Sequence, residues 1–298
     1  MSGAAPAPRS QPEKQWLRDL VPLRPQGPVE LIDRATQIMR TRIRDLATIT
    51  LGVNLPVWLL LAAVLRGEWA RGLNDNPQWF LSSLLPEPFL LATAGSGTHG
   101  STWAFVLGRG LPSLGLAVTG AAAGTLLANW GAGRPMTGAE ALVRVARRGH
   151  RVLLLWGAIH LLLLVSVVGL FLGPLAFGIA MPLWAIEETT TFSAIRRSWA
   201  LSAKQLGRVF LTVVLATGLS LLVGVLLSAV PLLALFVVGS NWTDLGGTGL
   251  VALTGAIPHL VIDPLLAMSM ALLALDLKVR VEGADLTAEL DELHHVQA

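Results

Sequence analysis

The sequence predicts an all-α integral membrane protein of six transmembrane helices, grouped as three hairpins that are each preceded by a basic interfacial helix. Three observations lead there. Of 298 residues, 53% are hydrophobic and only 14% charged, with a mean hydropathy of +0.62, a balance foreign to soluble domains. The apolar residues gather in runs of about 20, the length of helix that crosses about 30 Å of hydrocarbon. The cations gather between alternate runs.

The charge balance excludes several functions. Lys and Arg number 22 against 19 Asp and Glu, so the sequence pI of 10.1 overstates a small surplus. With no Tyr and no Cys, nothing titrates between His and the strong bases, and three extra cations carry the isoelectric point upward. Nucleic acid is not indicated. The absence of Cys removes disulfides, thiolate metal sites and cysteine nucleophiles.

Residues 1–27 hold Pro6, Pro8, Pro12, Pro22 and Pro25 among polar residues, a composition expected to form a disordered cytoplasmic tail. No apolar run occurs before residue 46, so the first span is expected to act as an uncleaved anchor. In 28–46, Leu31, Ile32, Ala35, Ile38, Met39, Ile43 and Leu46 recur at helical spacing, with Glu30, Arg34, Arg40 and Arg44 opposite, which predicts a basic amphipathic helix. The first span follows at 46–65, an outer loop at 66–110 and the second span at 111–130. Residues 138–151 repeat the amphipathic pattern more weakly. The apolar stretch 152–186 exceeds one crossing, and Gly173-Pro174 divides it into spans at 152–171 and 174–188. In 191–210, Phe192, Ile195, Trp199, Leu206 and Phe210 form an apolar stripe opposite Arg196, Arg197 and Lys204. The fifth span is 209–230, closed by Pro231; the sixth is 252–276, kinked at Pro258 and Pro264. Residues 28–290 thus form one membrane domain, and 291–298 a short C-terminal tail.

Orientation follows from the cations, because cytoplasmic loops retain Lys and Arg. Nineteen of the 22 fall on one side, and only Arg66, Arg71 and Arg109 on the other. Both termini are expected to be cytoplasmic and the chain to sit in the plasma membrane. Trp130, Trp156, Trp184 and Trp199 fall at that same boundary. Glu30, Glu140 and Glu187 or Glu188 each precede a basic helix, which suggests three repeated units in one orientation.

Catalytic patterns are scarce. Gly95-Ser96-Gly97-Thr98-His99-Gly100 matches a dinucleotide fingerprint in letters but lacks the strand, helix and distal acid around it. No HExxH, GxSxG or Walker lysine occurs, and His294-His295 lacks a third ligand. No metal or other cofactor is expected. Asn54, His160, His259 and Asp263 fall inside spans, where polar side chains either bond between helices or line a wet path; interhelical bonding is the preferred reading. Gly120-Ala-Ala-Ala-Gly124 and Gly169-Leu-Phe-Leu-Gly173 allow close helix approach within the chain.

Three stretches carry a resemblance. Arg24-Pro25 with Val29-Glu30-Leu31-Ile32-Asp33-Arg34-Ala35 and Arg40 is the first. Pro182-Leu183-Trp184-Ala185-Ile186-Glu187 with Ala194-Ile195-Arg196-Arg197-Ser198-Trp199 is the second. Pro264-Leu265 with Leu272 through Leu286, including Asp276, Glu282 and Gly283, is the third. Together they resemble the glycerophosphoryl diester phosphodiesterase membrane-domain family of actinobacterial membrane proteins, in that family's order from about residue 22 to 290. Ala274 and Lys278 depart from the family's usual aromatic and Arg. The resemblance implies the membrane fold, with Glu30, Asp33, Glu187, Asp276, Glu282 and Gly283 as its structural signature. It does not imply hydrolysis, since no room remains for a catalytic barrel.

The expected function is a non-catalytic scaffold or accessory subunit. Its basic helices would bind anionic lipid, or a cytoplasmic protein partner, through Arg40, Arg42, Arg44, Arg147, Arg148, Arg196 and Arg197. A small-solute or proton-coupled transporter using the polar residues of spans one, three and six is the alternative. A lipid-modifying enzyme has no paired acid and base to support it.

Overall fold

The computed structural model describes residues 24–75, 102–165, 175, 177–238 and 245–283. Among these residues the chain is helical throughout, with nine helices and no strand. In order they are α1 (Pro28–Thr41), α2 (Ile43–Asp75), α3 (Thr102–Gly131), α4 (Gly138–Arg147), α5 (Gly149–Val165), α6 (Ala180–Glu187), α7 (Thr191–Lys204), α8 (Leu206–Val238) and α9 (Leu245–Glu282).

Four helices are long and apolar enough to cross a membrane, through Ile43–Val64, Gly110–Gly131, Leu206–Leu227 and Ala256–Glu282. Twenty-two residues at 1.5 Å each rise about 33 Å, enough for the hydrocarbon layer. These four coincide with the first, second, fifth and sixth expected spans. In the stretch 152–186, α5 is apolar over Gly149–Leu162, and α6 has eight residues, a rise of about 12 Å. Gly173-Pro174 and the Gly169–Gly173 stripe lie outside the described residues, as do Gly95–Gly100 and His294-His295.

Several boundaries differ from those expected. The helix that begins at Ile43 continues to Asp75, and α3 begins at Thr102, so the 66–110 segment is helical at both ends. No proline lies between Pro56 and Pro77, and an established helix gains one hydrogen bond per added residue. Helix α8 runs past Pro231 to Val238, and α9 is continuous through Pro258 and Pro264. Proline removes one donor from a helix but does not always end it inside a membrane bundle.

Burial separates a centre from an exterior. Of the apolar stretches, 78% of α9 and 67% of α3 is buried, against 33% of α2 and of α8. Helices α9 and α3 therefore form the middle, while α2 and α8 turn Leu55, Leu59, Leu60, Leu222 and Leu226 outward, as lipid contact requires. Small residues set the spacing at the centre. A Cβ on Gly124 would stand 2.6 Å from the Pro182 carbonyl, so the Gly120–Gly124 stripe brings α3 against α6.

The three amphipathic segments share one local design. Their N-cap residues Gly27, Thr137 and Thr190 are all extended. Glu30 accepts from the Gly27 amide at 3.3 Å and Glu140 from the Thr137 amide at 2.8 Å, each from the third helical position. The corresponding position in the third segment is Ser193, whose amide donates to the Thr190 hydroxyl. Glu187 and Glu188 are therefore not the counterparts of Glu30 and Glu140; they end the preceding helix. Each amphipathic helix then stops at a single non-helical residue, Arg42, Arg148 or Gln205. Its carbonyl accepts from Leu46, Val152 or Val209 in the next helix, so the chain turns a corner without losing the backbone ladder.

The faces differ. Helix α1 buries Leu31, Ile32, Ala35 and Ile38, the Leu and two Ile each contributing about 1.5–3 kcal/mol if water is the alternative. Ile43, expected on the same stripe, is exposed because the break at Arg42 resets the helical phase. Helix α7 separates its small residues from its large apolar ones. It packs inward through Ala194, Ser198, Leu201 and Ser202, while Phe192 is 80% and Trp199 51% exposed. Trp130 and Trp184, expected in an interfacial belt, are core residues.

Candidate functional site

Most cations converge on one end of the bundle, where Gln26, the α1–α2, α4–α5 and α7–α8 corners and the end of α9 meet. Asp276, 4% exposed, is the knot. Its carboxylate accepts from the Gln26 amide at 2.7 Å, Arg208 Nε at 2.8 Å and Arg280 Nε at 3.1 Å. Arg280 also donates to the Gln26 carbonyl at 3.1 Å. One buried carboxylate near the end of α9 thus ties the chain before α1 to the start of α8.

A second knot forms around Glu187, at the end of α6. Arg197 grips it with two parallel bonds, Nε at 2.8 Å and Nη2 at 2.6 Å, the geometry that a planar guanidinium favours. Lys278 approaches the same carboxylate at 3.0 Å, and Arg197 reaches Glu282 at 2.7 Å. Burial alone would push the Glu187 carboxyl upward, but the hydrogen bonds from Arg197 and Lys278 and their charges outweigh it and hold the group below its ordinary value. Arg197 is raised, chiefly by its bond to Glu187.

The seven arginines expected to meet lipid therefore fall into two groups. Arg197 is bound as above, Arg148 pairs with Glu188 at 3.2 Å, and Arg42 lies 3.6 Å from Asp45 and over the Trp130 ring. Arg40, Arg44, Arg147 and Arg196 are exposed, with no acidic partner among the described residues. Arg196 shares its helix face with Phe192 and Trp199, at spacings of four and three, so a cation sits inside an outward aromatic stripe. The sequence pattern had placed it opposite.

The signature residues are mostly structural ties. Glu30 caps α1 and pairs with Arg24 at 2.7 Å; Glu187, Asp276 and Glu282 hold the ion pairs. Gly283 sits at φ 63 and its amide returns to Val279, an end-cap in the left-handed region that favours glycine. Asp33 is exposed and the structure gives it no partner among the described residues.

Deeper in the bundle, three of the four intramembrane polar residues meet. Asn54 Nδ2 on α2 donates to Asp263 Oδ2 at 2.6 Å, and His259 Nδ1 lies 2.8 Å from Asp263 Oδ1. Trp58 covers the imidazole, ring centres 5.4 Å apart. Gly115 admits Asn54, whose Oδ1 would stand 2.9 Å from a Cβ there. His160 belongs to a separate group. Its Nδ1 faces the Trp156 carbonyl at 2.9 Å and so carries a proton, since a carbonyl only accepts; its Nε2 faces Ser113, which also takes the Trp156 indole N–H. Among the described residues no group of three His, Asp or Glu could hold a metal ion.

Sequence reasoning missed Arg208, Lys278, Gln26 and Ser113 as site residues. Only Arg280 carried a local signal, four residues after Asp276. Compared with known protein families, with curated proteins and with solved structures, the chain matches none.

Proposed function

We propose that the chain is a non-catalytic membrane scaffold or accessory subunit that retains anionic lipid at its basic end. The observation that carries this is the outward stripe of α7, where exposed Arg196 stands between Phe192 and Trp199. Aromatic rings at the headgroup level beside a cation that can reach phosphate are the chemistry of an interfacial helix. Arg40, Arg44 and Arg147 extend the same charge around the end. The finer topology belongs to this reading. Six crossings, two of them within 152–186, would place both termini in the cytoplasm of a cell whose plasma membrane holds the protein. The shared caps and one-residue corners support three hairpin units related by rotation about the membrane normal. The family resemblance is consistent with such a fold and adds no chemistry.

Native mass spectrometry tests the lipid claim. Wild type should retain phosphatidylglycerol over phosphatidylcholine, and Arg40→Gln with Arg196→Gln should lose that preference, each arginine contributing about 1 kcal/mol. Equal retention of both lipids before and after the change sinks the proposal. A cytoplasmic protein partner on the same arginines would leave lipid retention unselective.

The convergence of Asn54, His259 and Asp263 favours a second reading, a proton-coupled path through the bundle. It draws on an acid and an imidazole in contact at bilayer depth, where ionisable groups are rare. His160 does not join it, its bonds being to Ser113 and Trp156.

A further inference from the structure

Between α3, α4 and α6 lies a narrow cleft lined by Thr125, Arg144, Val145, Arg148, Trp184, Ala185 and Glu188. The space inside it has room for about one water-sized atom. The Trp184 ring is buried, yet its Nε1–H has no hydrogen-bond partner among the described residues. Buried donors are rarely left so. At the rim, Arg144 has no acidic partner among the described residues, and Arg148 holds Glu188 through an exposed pair at 3.2 Å. The cleft therefore has an excess of one positive charge over an unused indole donor. Indole and guanidinium nitrogens only donate, so the missing component is an acceptor that carries negative charge.

We propose that this cleft binds a phosphate group, one oxygen of which enters to accept from Trp184 Nε1–H while the others face Arg144 and Arg148. That small space admits one oxygen and leaves the rest of the group outside, which suits a phosphate ester or free phosphate. Glu188 opposes the anion and competes for Arg148, so binding should be improved by neutralising it. The site rests on the reading of this end of the bundle as anion-retaining, but it uses none of Arg40, Arg44, Arg147 or Arg196.

Two probes separate the sources of the phosphate. The full chain is measured by native mass spectrometry with phosphatidylglycerol, and by calorimetry with inorganic phosphate in phosphatidylcholine nanodiscs. Arg144→Gln should weaken binding of the responsive probe about tenfold, the effect of one charged hydrogen bond. Trp184→Phe, which keeps the ring and removes the donor, should weaken it roughly fivefold. Glu188→Gln should tighten it, a gain that misfolding does not produce. A response with phosphatidylglycerol assigns a lipid headgroup; a response with inorganic phosphate alone assigns a soluble phosphate. If neither probe responds to any of the three changes, the cleft holds only a water and the proposal is overturned. Loss of phosphatidylglycerol in Arg40→Gln with Arg196→Gln, beside unaffected cleft variants, overturns the cleft and leaves the outer arginines in place. The reverse pattern overturns the outer arginines and leaves the cleft.

Discussion

Two aspartates on one helix, Asp263 and Asp276, are equally buried, at 2% and 4% exposure, and have opposite company. Thirteen residues of helix, about 20 Å, lie between them. Asp263 is held by an amide and an imidazole, Asn54 and His259. Asp276 is held by two guanidinium groups and a backbone amide. The difference follows from depth. Arginine placed in the hydrocarbon is expensive, whereas at the end of the bundle it keeps part of itself in water; Arg208 and Arg280 are 17% and 28% exposed. Among the described residues, polar glue in the middle of the protein is therefore made of short side chains, while the basic end is built from charge.

The largest effect is expected at the charged knot. Asp276→Ala leaves Arg208 and Arg280 without a counter-ion and the Gln26 amide without an acceptor, a loss of about 3 kcal/mol or more. Denaturant titration in micelles reads the loss, and limited proteolysis should show faster cleavage after Arg24 as the tie is released. A loss no larger than that of Asp263→Asn would erase the distinction between the two aspartates.

Changes at Asp263 should be smaller and should depend on shape. Asp263→Asn keeps polar atoms toward Asn54 and His259, and is expected to stay within about 1 kcal/mol of wild type; Asp263→Leu removes the acceptor that the two share and should cost about 2 kcal/mol. Proton flux in liposomes sharpens the point. No difference in flux between wild type and a stably folded Asp263→Asn supports glue, and flux lost in that variant supports the proton path.

At Glu187 the comparison becomes one of pH. Its carboxyl is held below the ordinary value of 4.5, so the unfolded chain takes up the proton first as pH falls. The stabilisation is present above that ordinary value and is lost as pH drops through the lower, folded one. Melting curves of wild type should therefore decline in that acid window. Glu187→Gln should lose about 1 kcal/mol at neutral pH, discounted because Arg197 is a third exposed, and should show a shallower acid decline. An unchanged acid profile would remove Glu187 from the tie.

Much of this was legible in the sequence, for reasons that differ by residue. Glu30 and Glu140 announce helix starts because a capping carboxylate must stand three residues inside. His259 and Arg280 sit four residues from their aspartates, on the same helical face. Asn54 could be placed at bilayer depth because its neighbours are apolar, although its partner 209 positions away could not be read from spacing. Arg208 is 68 residues from Asp276, and nothing local marks it. On α7 the apolar stripe was legible, and Phe192 and Trp199 face outward. What the pattern misplaced was Arg196, which stands among them rather than opposite, while small residues such as Ala194 and Ser198 take the inner face because they let helices approach.

The smallest effect is expected at Glu188, the one non-glycine residue at positive φ among those described, with φ 52. Glu188→Gly relieves the left-handed strain, worth about 1 kcal/mol, and gives up an exposed pair with Arg148 worth about 0–1 kcal/mol. A net gain of a few tenths in denaturant titration is expected; a clear loss would show that the Arg148 pair matters more than its exposure suggests.

The claim that the basic end is the functional surface is tested most directly by melting the protein in two bilayers. A ligand that binds only the folded state raises its apparent stability. Wild type should melt several degrees higher in phosphatidylglycerol nanodiscs than in phosphatidylcholine nanodiscs, and the difference should shrink with added salt. Changing Arg40, Arg44, Arg147 and Arg196 together to Gln should abolish the difference while leaving the phosphatidylcholine value unchanged. The same increment in wild type and in the four-arginine variant would contradict the claim.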